Sequence, residues 1–209
     1  MIDSDYSEPT HAAYADESQH NTGRYRSIAL VSLPIQYQCG VTTDLRVFLT
    51  GCGILEVKWS ALSDRRQMDA AQRMLGGLIE RAVLGIVRAD ILLWDTYDCR
   101  HSIAGRDDIE NFHRMFHHLA LHVLQRRWPP GSIWIIYPGE NDIVRWNQVQ
   151  HFLNDTAENH GDYDPETRIA RFDHVDTYAV QQIVSSRSIE QPLIMLADLL
   201  NASTLISLR

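Results

Sequence analysis

Apolar and polar positions change period several times along the chain, and each change marks an element. The segments "AAYADES" and "RYRSIALVSLP" read as two strands, and "QHNTG" between them holds turn-forming Asn, Thr and Gly, so the pair predicts a hairpin that Pro34 ends. "TTDLRVFLTGCG" predicts a short helix capped by Thr43 or Asp44 and stopped by Gly51 or Gly53, and "ILEVKWS" then alternates as a third strand. In "SDRRQMDAAQRMLGGLIERAVLG", Ser63 stands as N-cap and Met68, Ala71, Leu75, Leu78 and Ala82 fall on one helical stripe. "IVRADILLWD" predicts a strand. "RDDIENFHRMFHHLALHVLQRRW" predicts a long helix that Pro129, Pro130 and Gly131 terminate. "SIWIIYP" reads as a buried strand, "NDIVRWNQVQHFLNDTAEN" as a helix, "ETRIARF" as a short strand, and "QPLIMLADLLNASTLI" as a last helix with Pro192 in its first turn.

This order predicts an α/β fold with a mixed sheet: an antiparallel hairpin start, then strand-helix alternation that makes neighbouring strands parallel, with helices flanking the sheet. No repeat or low-complexity stretch divides the chain. Residues 1–11 are polar and read as a flexible N-terminal tail, leaving residues 12–209 as a single domain.

Composition narrows the functional classes. With 44% hydrophobic and 22% charged residues the chain reads as globular, and no apolar run approaches the roughly 20 residues that cross a bilayer. "MIDSDYSEPTH" lacks a charged-then-apolar leader, which predicts a cytoplasmic protein. Cys39, Cys52 and Cys99 are scattered and without CxxC spacing, so they read as structural thiols rather than a disulfide or zinc framework. The formal charge of -8 argues against a broad basic surface for nucleic acid. Lys58 is the only lysine of the chain.

The acids carry the candidate chemistry. Asp16 closes the first strand, Asp95 closes "ILLWD", Asp142 follows "IIYPGEN", Glu56 lies in or just after the third strand, and Asp198 lies in the last helix. Ligands of α/β sheets sit beyond strand ends, and hard cations such as Mg²⁺ or Mn²⁺ need carboxylates gathered from separate elements. Asp198 stands among Leu193, Ile194, Met195, Leu196, Leu199 and Leu200, so it either finds a partner or shares a wet stripe with Gln191 and Asn201.

Taken together, "YADES", "LEVKWS" and "SSRSIEQPLIMLADLL" resemble the DUF3800 family of uncharacterised bacterial proteins, assigned to the ribonuclease H-like superfamily. The likeness rests on the order and spacing of short motifs. It implies a ribonuclease H-like fold in which Asp16 is the first-strand acid, Glu56 and Lys58 form the Glu-x-Lys segment, and Asp198 is the last-helix acid, gathered round divalent metal. Topology adds Asp95, since enzymes of this fold place an acid at the end of the strand after the first long helix. Glu17 is a second candidate ligand. Gln19 stands where the family usually has Gly, and Tyr137-Pro138 stands where an Asp often ends the strand, leaving Glu140 or Asp142 to substitute from a loop.

Other signals lead elsewhere. His113 with His117 and His118 with His122 have helical metal-ligand spacing, but the pairs lie on opposite flanks of the buried stripe and read as solvated. Asp95 and Asp98 do not match the Asp-x-Asp of aspartyl-phosphate enzymes, and Arg65-Arg66 and Arg126-Arg127 read as surface pairs. The expectation is a metal-dependent nuclease or phosphodiesterase acting on nucleic acid (DNA, RNA or hybrid). Asp16, Glu56, Asp95 and Asp198 would hold Mg²⁺ or Mn²⁺, and Lys58 would position a phosphate or the attacking water. The alternative is a non-catalytic ribonuclease H-like subunit that binds a protein or ribonucleoprotein partner. Either reading is compatible with a homo-oligomer.

Overall fold

The computed structural model describes residues 7–18, 24–98, 107–159, 162–163, 170–171 and 178–206. Strands β1 (His11–Ser18) and β2 (Tyr25–Pro34) form the expected hairpin, His11 facing Pro34 and Ser18 facing Ser27. Its turn, and with it Gln19, lies outside the described residues, as do Cys99 and most of "ETRIARF". Helix α1 (Ile35–Gly51) starts directly after Pro34, earlier than Thr43 or Asp44 predicted. The two belong to its interior, and no side chain caps it. It ends as expected: Gly53 takes φ +69, its N–H bonds the Thr50 carbonyl and the Ile54 N–H bonds that of Leu49, a left-handed stop that glycine adopts without strain.

The largest departure follows. "ILEVKWS" pairs with no strand among the described residues; it runs as an irregular segment into a 3₁₀ turn (Trp59–Ala61). Helix α2 (Arg65–Val83) is capped by Asp64, whose carboxylate accepts from the N–H groups of Arg66 and Gln67, and not by Ser63. Then come β3 (Arg88–Asp95), α3 (Asp108–Arg126), β4 (Ser132–Pro138), α4 (Trp146–Asn159), the two-residue strands β5 (Asp162–Tyr163) and β6 (Ala170–Arg171), β7 (Tyr178–Ile183) and α5 (Pro192–Ile206). The sequence reading missed β7, a short strand buried only at alternate positions.

The main sheet has the order β3-β2-β1-β4-β7. β2 runs antiparallel to both β1 and β3, while β1, β4 and β7 run parallel, so the sheet is mixed as predicted. Alternation divides the core. Ala13, Ala15, Ile28 and Leu30 face α3 and α4, whereas Ala12, Tyr14, Ala29 and Val31 face α1, α2 and α5. Helix α5 is apolar nearly all round because its first two turns are enclosed: Leu193, Ile194, Met195, Leu196, Ala197 and Leu199 are all buried. That makes α5 a core helix on which a charge is anomalous.

Since Leu196 is enclosed on that face, Leu196→Ala should remove about 2–5 kcal/mol of stability, read from urea unfolding.

Candidate functional site

Asp16 stands two residues before the end of β1, on the face that α5 covers, paired across the ladder with Ala29. Just past β4, Gly139 donates its N–H to the Ala15 carbonyl at 2.9 Å. A Cβ on Gly139 would fall 2.8 Å from Asp16 Oδ1, so the carboxylate occupies the space that the glycine leaves open. On the other side α5 supplies Asn201, fully buried, whose Nδ2 donates to the Asp16 carbonyl at 2.6 Å. Asn201 is therefore a strand-to-helix tie and no part of a wet stripe. The sequence signal for it was an amide in an otherwise apolar helix.

One turn earlier on α5, Asp198 faces the same space with Ile194 and Ala202, the i−4 and i+4 positions of its stripe. Asp16 and Asp198 line a cleft of about 840 Å³ together with Glu17, Glu56, Lys58 and Glu140. Burial, then the charges of Glu17 and Asp198, pushes the Asp16 carboxyl well above the usual range, against a backbone N–H bond from Glu17. Asp198 is raised too, first by burial and then by Glu56, while the Trp59 backbone N–H and the Lys58 charge oppose the rise. Glu56 has its oxygens engaged: Ser188 Oγ donates to Oε1 and Lys58 Nζ lies 3.3 Å from Oε2. Glu17, next to Asp16 on β1, has its Oε1 bonded by Asn141 Nδ2 at 2.7 Å. Arg187 and Ser188 close the far wall and were not singled out in the sequence.

The structure does not bring every expected acid here. Asp95 ends the edge strand β3, two strands away from β1, a lateral separation of roughly 10 Å at the usual strand spacing. Arg24 donates to its Oδ2 from Nε at 2.9 Å and Nη2 at 2.6 Å, which holds its carboxyl below the usual range. Because β3 joins the sheet outside the hairpin, its end meets Arg24 and not the cleft. Asp142 is exposed and outside the lining, so of the two loop acids only Glu140 reaches the site. Among the described residues no three His, Cys, Asp or Glu side chains converge as closely as a bound ion requires.

The histidines also differ from expectation. His113, His117 and His118 line one second cleft between α3 and α4, and only His118 and His122 are exposed. His113 Nε2 accepts from the Arg145 N–H at 3.2 Å and His117 Nε2 bonds Thr156 Oγ1 at 3.1 Å, so both rings are committed to joining the helices.

Over 92% of its length the chain superposes on a chain of the Archaeoglobus fulgidus PCNA:RNase HII complex, covering 71% of that chain with a TM-score of 0.51 at 14% identity. The fold is ribonuclease H-like. Two uncharacterized proteins of Methanothermobacter thermautotrophicus, ORF2' and ORF2, are each 38% identical to it over 149 residues. These residues make up 68% of the chain and 52% of each relative, so the chain spans about half the length of the curated relatives it matches. No protein-family model matches it. No helix among the described residues is long and apolar enough to cross a membrane.

The raised Asp16 carboxyl fixes the sign of a pH effect. A carboxyl whose folded pKa lies above its unfolded value takes up a proton first in the folded state, so its unfavourable contribution is absent below the unfolded value near 3.8, grows as pH rises from there to the folded pKa, and is fully present above it. Without divalent metal, Asp16→Asn should therefore melt above the wild type at pH 7–8, and the difference should shrink toward pH 4 in thermal melts across that range.

Proposed function

We propose that the chain is a divalent-metal-dependent nuclease or phosphodiesterase that acts on nucleic acid, with Asp16 and Asp198 as the acids that would hold the ion. The observation that carries this reading is the meeting of these two carboxylates, from β1 and α5, in one cleft where burial raises both, together with the charges of Glu17 and Asp198 at Asp16 and of Glu56 at Asp198. Their donors are hard oxygens, the type that Mg²⁺ and Mn²⁺ take, and Mg²⁺ completes its shell with water when a protein offers only one or two carboxylates. A bound ion would supply Lewis-acid stabilisation of a phosphoryl oxygen and lower the pKa of a coordinated water.

The chain's own residues then have separable tasks. Asp16 is set by β1 and by the gap at Gly139; Asp198 is set by α5; Glu17 and Glu140 line the rim. Lys58, exposed and held near Glu56, offers an ammonium to a phosphate entering the cleft. Glu56, engaged by Lys58 and Ser188, orients that ammonium. Asp95, paired with Arg24, has no part in this site. The ribonuclease H-like fold, the resemblance to the DUF3800 family and the presence of a ribonuclease in the similar archaeal complex all favour nucleic acid as substrate.

One observation favours the second reading, a non-catalytic subunit that binds a protein or ribonucleoprotein partner: Glu56 is already neutralised by Lys58 in a chain with a net charge of -8. The two readings separate in thermal melts with and without Mn²⁺. On the nuclease reading, Mn²⁺ at about 100 times its Kd should raise the wild-type melting temperature by roughly 5–10 °C. Asp16→Asn, Asp198→Asn and Gly139→Ala, the last by crowding Asp16, should lose most of that rise. Mn²⁺-dependent cleavage of labelled DNA, RNA and hybrid oligonucleotides should fall to background in the two Asn variants. A wild type indifferent to Mn²⁺ would sink the nuclease reading and leave the binding subunit.

A further inference from the structure

Between α1 and α2 the chain reaches the cleft as residues 54–58, which carry Glu56 and Lys58 but belong to no sheet. Backbone donors and acceptors without a ladder need another partner. Ile54 donates to the Leu49 carbonyl and the Lys58 carbonyl accepts from Ala61, while for the Glu56 carbonyl and the Lys58 N–H a single side chain supplies the partner. Gln67, in the first turn of α2, donates from Nε2 to the Glu56 carbonyl at 3.1 Å and accepts at Oε1 from the Lys58 N–H at 3.1 Å. A primary amide presents a donor and an acceptor side by side, so Gln67 bonds this segment as one residue of a parallel strand would bond the residues flanking Val57.

The surroundings make the bracket rigid at both ends. Val57, between the two bonded residues, is buried in the core below, and strand-like alternation then turns Glu56 and Lys58 toward the cleft. The Gln67 backbone N–H is held by the capping carboxylate of Asp64 at 3.2 Å, so the helix end that carries the amide is itself pinned. Immediately beyond Lys58, the Trp59 N–H reaches Asp198 on α5. One amide thus stands between α2 and the placement of three groups at the cleft.

We propose that Gln67 is a positioning residue: its side-chain amide holds the Glu56–Lys58 backbone and thereby sets where the Glu56 carboxylate and the Lys58 ammonium stand in the cleft. The requirement is specific to glutamine. Methionine has similar length and helix propensity but can make neither bond, and glutamate keeps the acceptor for Lys58 while turning an oxygen toward the Glu56 carbonyl. The effect on catalysis rests on the nuclease reading, whereas the holding of the backbone does not.

The test uses the full chain as wild type, Gln67→Met and Gln67→Glu, with amide hydrogen exchange followed by NMR. The Lys58 amide should be protected in the wild type and exchange at least about tenfold faster in Gln67→Met, while the Ala70 and Met74 amides of α2 keep their protection. Equal Lys58 exchange in wild type and Gln67→Met overturns the proposal. If Gln67→Met opens α2 as well, Gln67→Glu decides: a Lys58 amide still protected supports the bracket, and one as fast as in Gln67→Met overturns it. In Mn²⁺-supported oligonucleotide cleavage both variants should lose about tenfold or more in kcat with KM within about twofold, and an unchanged kcat overturns the positioning role. A wild type that neither responds to Mn²⁺ nor cleaves counts against the nuclease reading alone, and the exchange rates still decide the bracket.

Discussion

The cleft depends on the burial of β1 on both faces at the centre of the sheet. Ala12, Ala13, Tyr14 and Ala15 are all enclosed, with β2 bonded along one edge and β4 along the other. A one-residue slip would send every side chain to the wrong face, including Asp16, so packing on two faces pins the register of the acid as well. Enclosure ends where Asp16 begins. There the strand's carbonyl passes to Asn201 of α5, and the strand end and the last helix become one unit. Burying the Asn201 amide would be costly without that bond, because an unsatisfied buried polar group costs about 1–3 kcal/mol.

This unit holds charge that folding alone does not favour. Asp16 and Asp198 are raised by burial and by neighbouring acids, whereas Asp95, at another strand end, is relieved by Arg24 in the open. Similar residues at similar positions in their strands thus meet opposite electrostatic fates. The difference lies in the neighbours: Gly139 and α5 close over the first, while an arginine from the hairpin answers the second. Carboxylates raised by burial in a cleft, and only partly answered by the Trp59 N–H and Lys58 at Asp198, are an arrangement that marks a candidate binding site.

Legibility in the sequence followed the range of the interaction that decides each feature. The proline stop after α3, the run of β4 and the apolar α5 were readable, since each is set by residues within a few turns of one another. The stripe of α2 was only half right: Ala71 and Leu78 are buried as expected, but with Ala70, Met74 and Gly77, while Met68 and Ala82 are exposed. The start of α1 was not, because "IQYQCG" carries neither a capping side chain nor a clear stripe, and the helix begins where Pro34 leaves the sheet. "ILEVKWS" has a strand's alternation, and Val57 is buried as that alternation implies. Alternation reports which way side chains point, however, and not whether a partner strand lies alongside. The amide of Gln67 answers that need instead, and nothing in the local pattern marks it.

The sequence by itself determined the fold class, the antiparallel start of the sheet, and that Asp16, Glu56, Lys58 and Asp198 are the residues to watch. Short-range periodicity is enough for the fold class and the hairpin, whereas the four residues were singled out by polar positions at element ends together with the resemblance of three short motifs to the DUF3800 family. Only the tertiary structure decided which of the charged residues share a cleft: Glu17, Glu56, Lys58, Glu140 and Asp198 with Asp16, and Asp95 apart. The order β3-β2-β1-β4-β7 and the packing of α5 across β1 and β2 are set by contacts between segments far apart in the chain. A period of 2.0 or 3.6 residues carries no information about them.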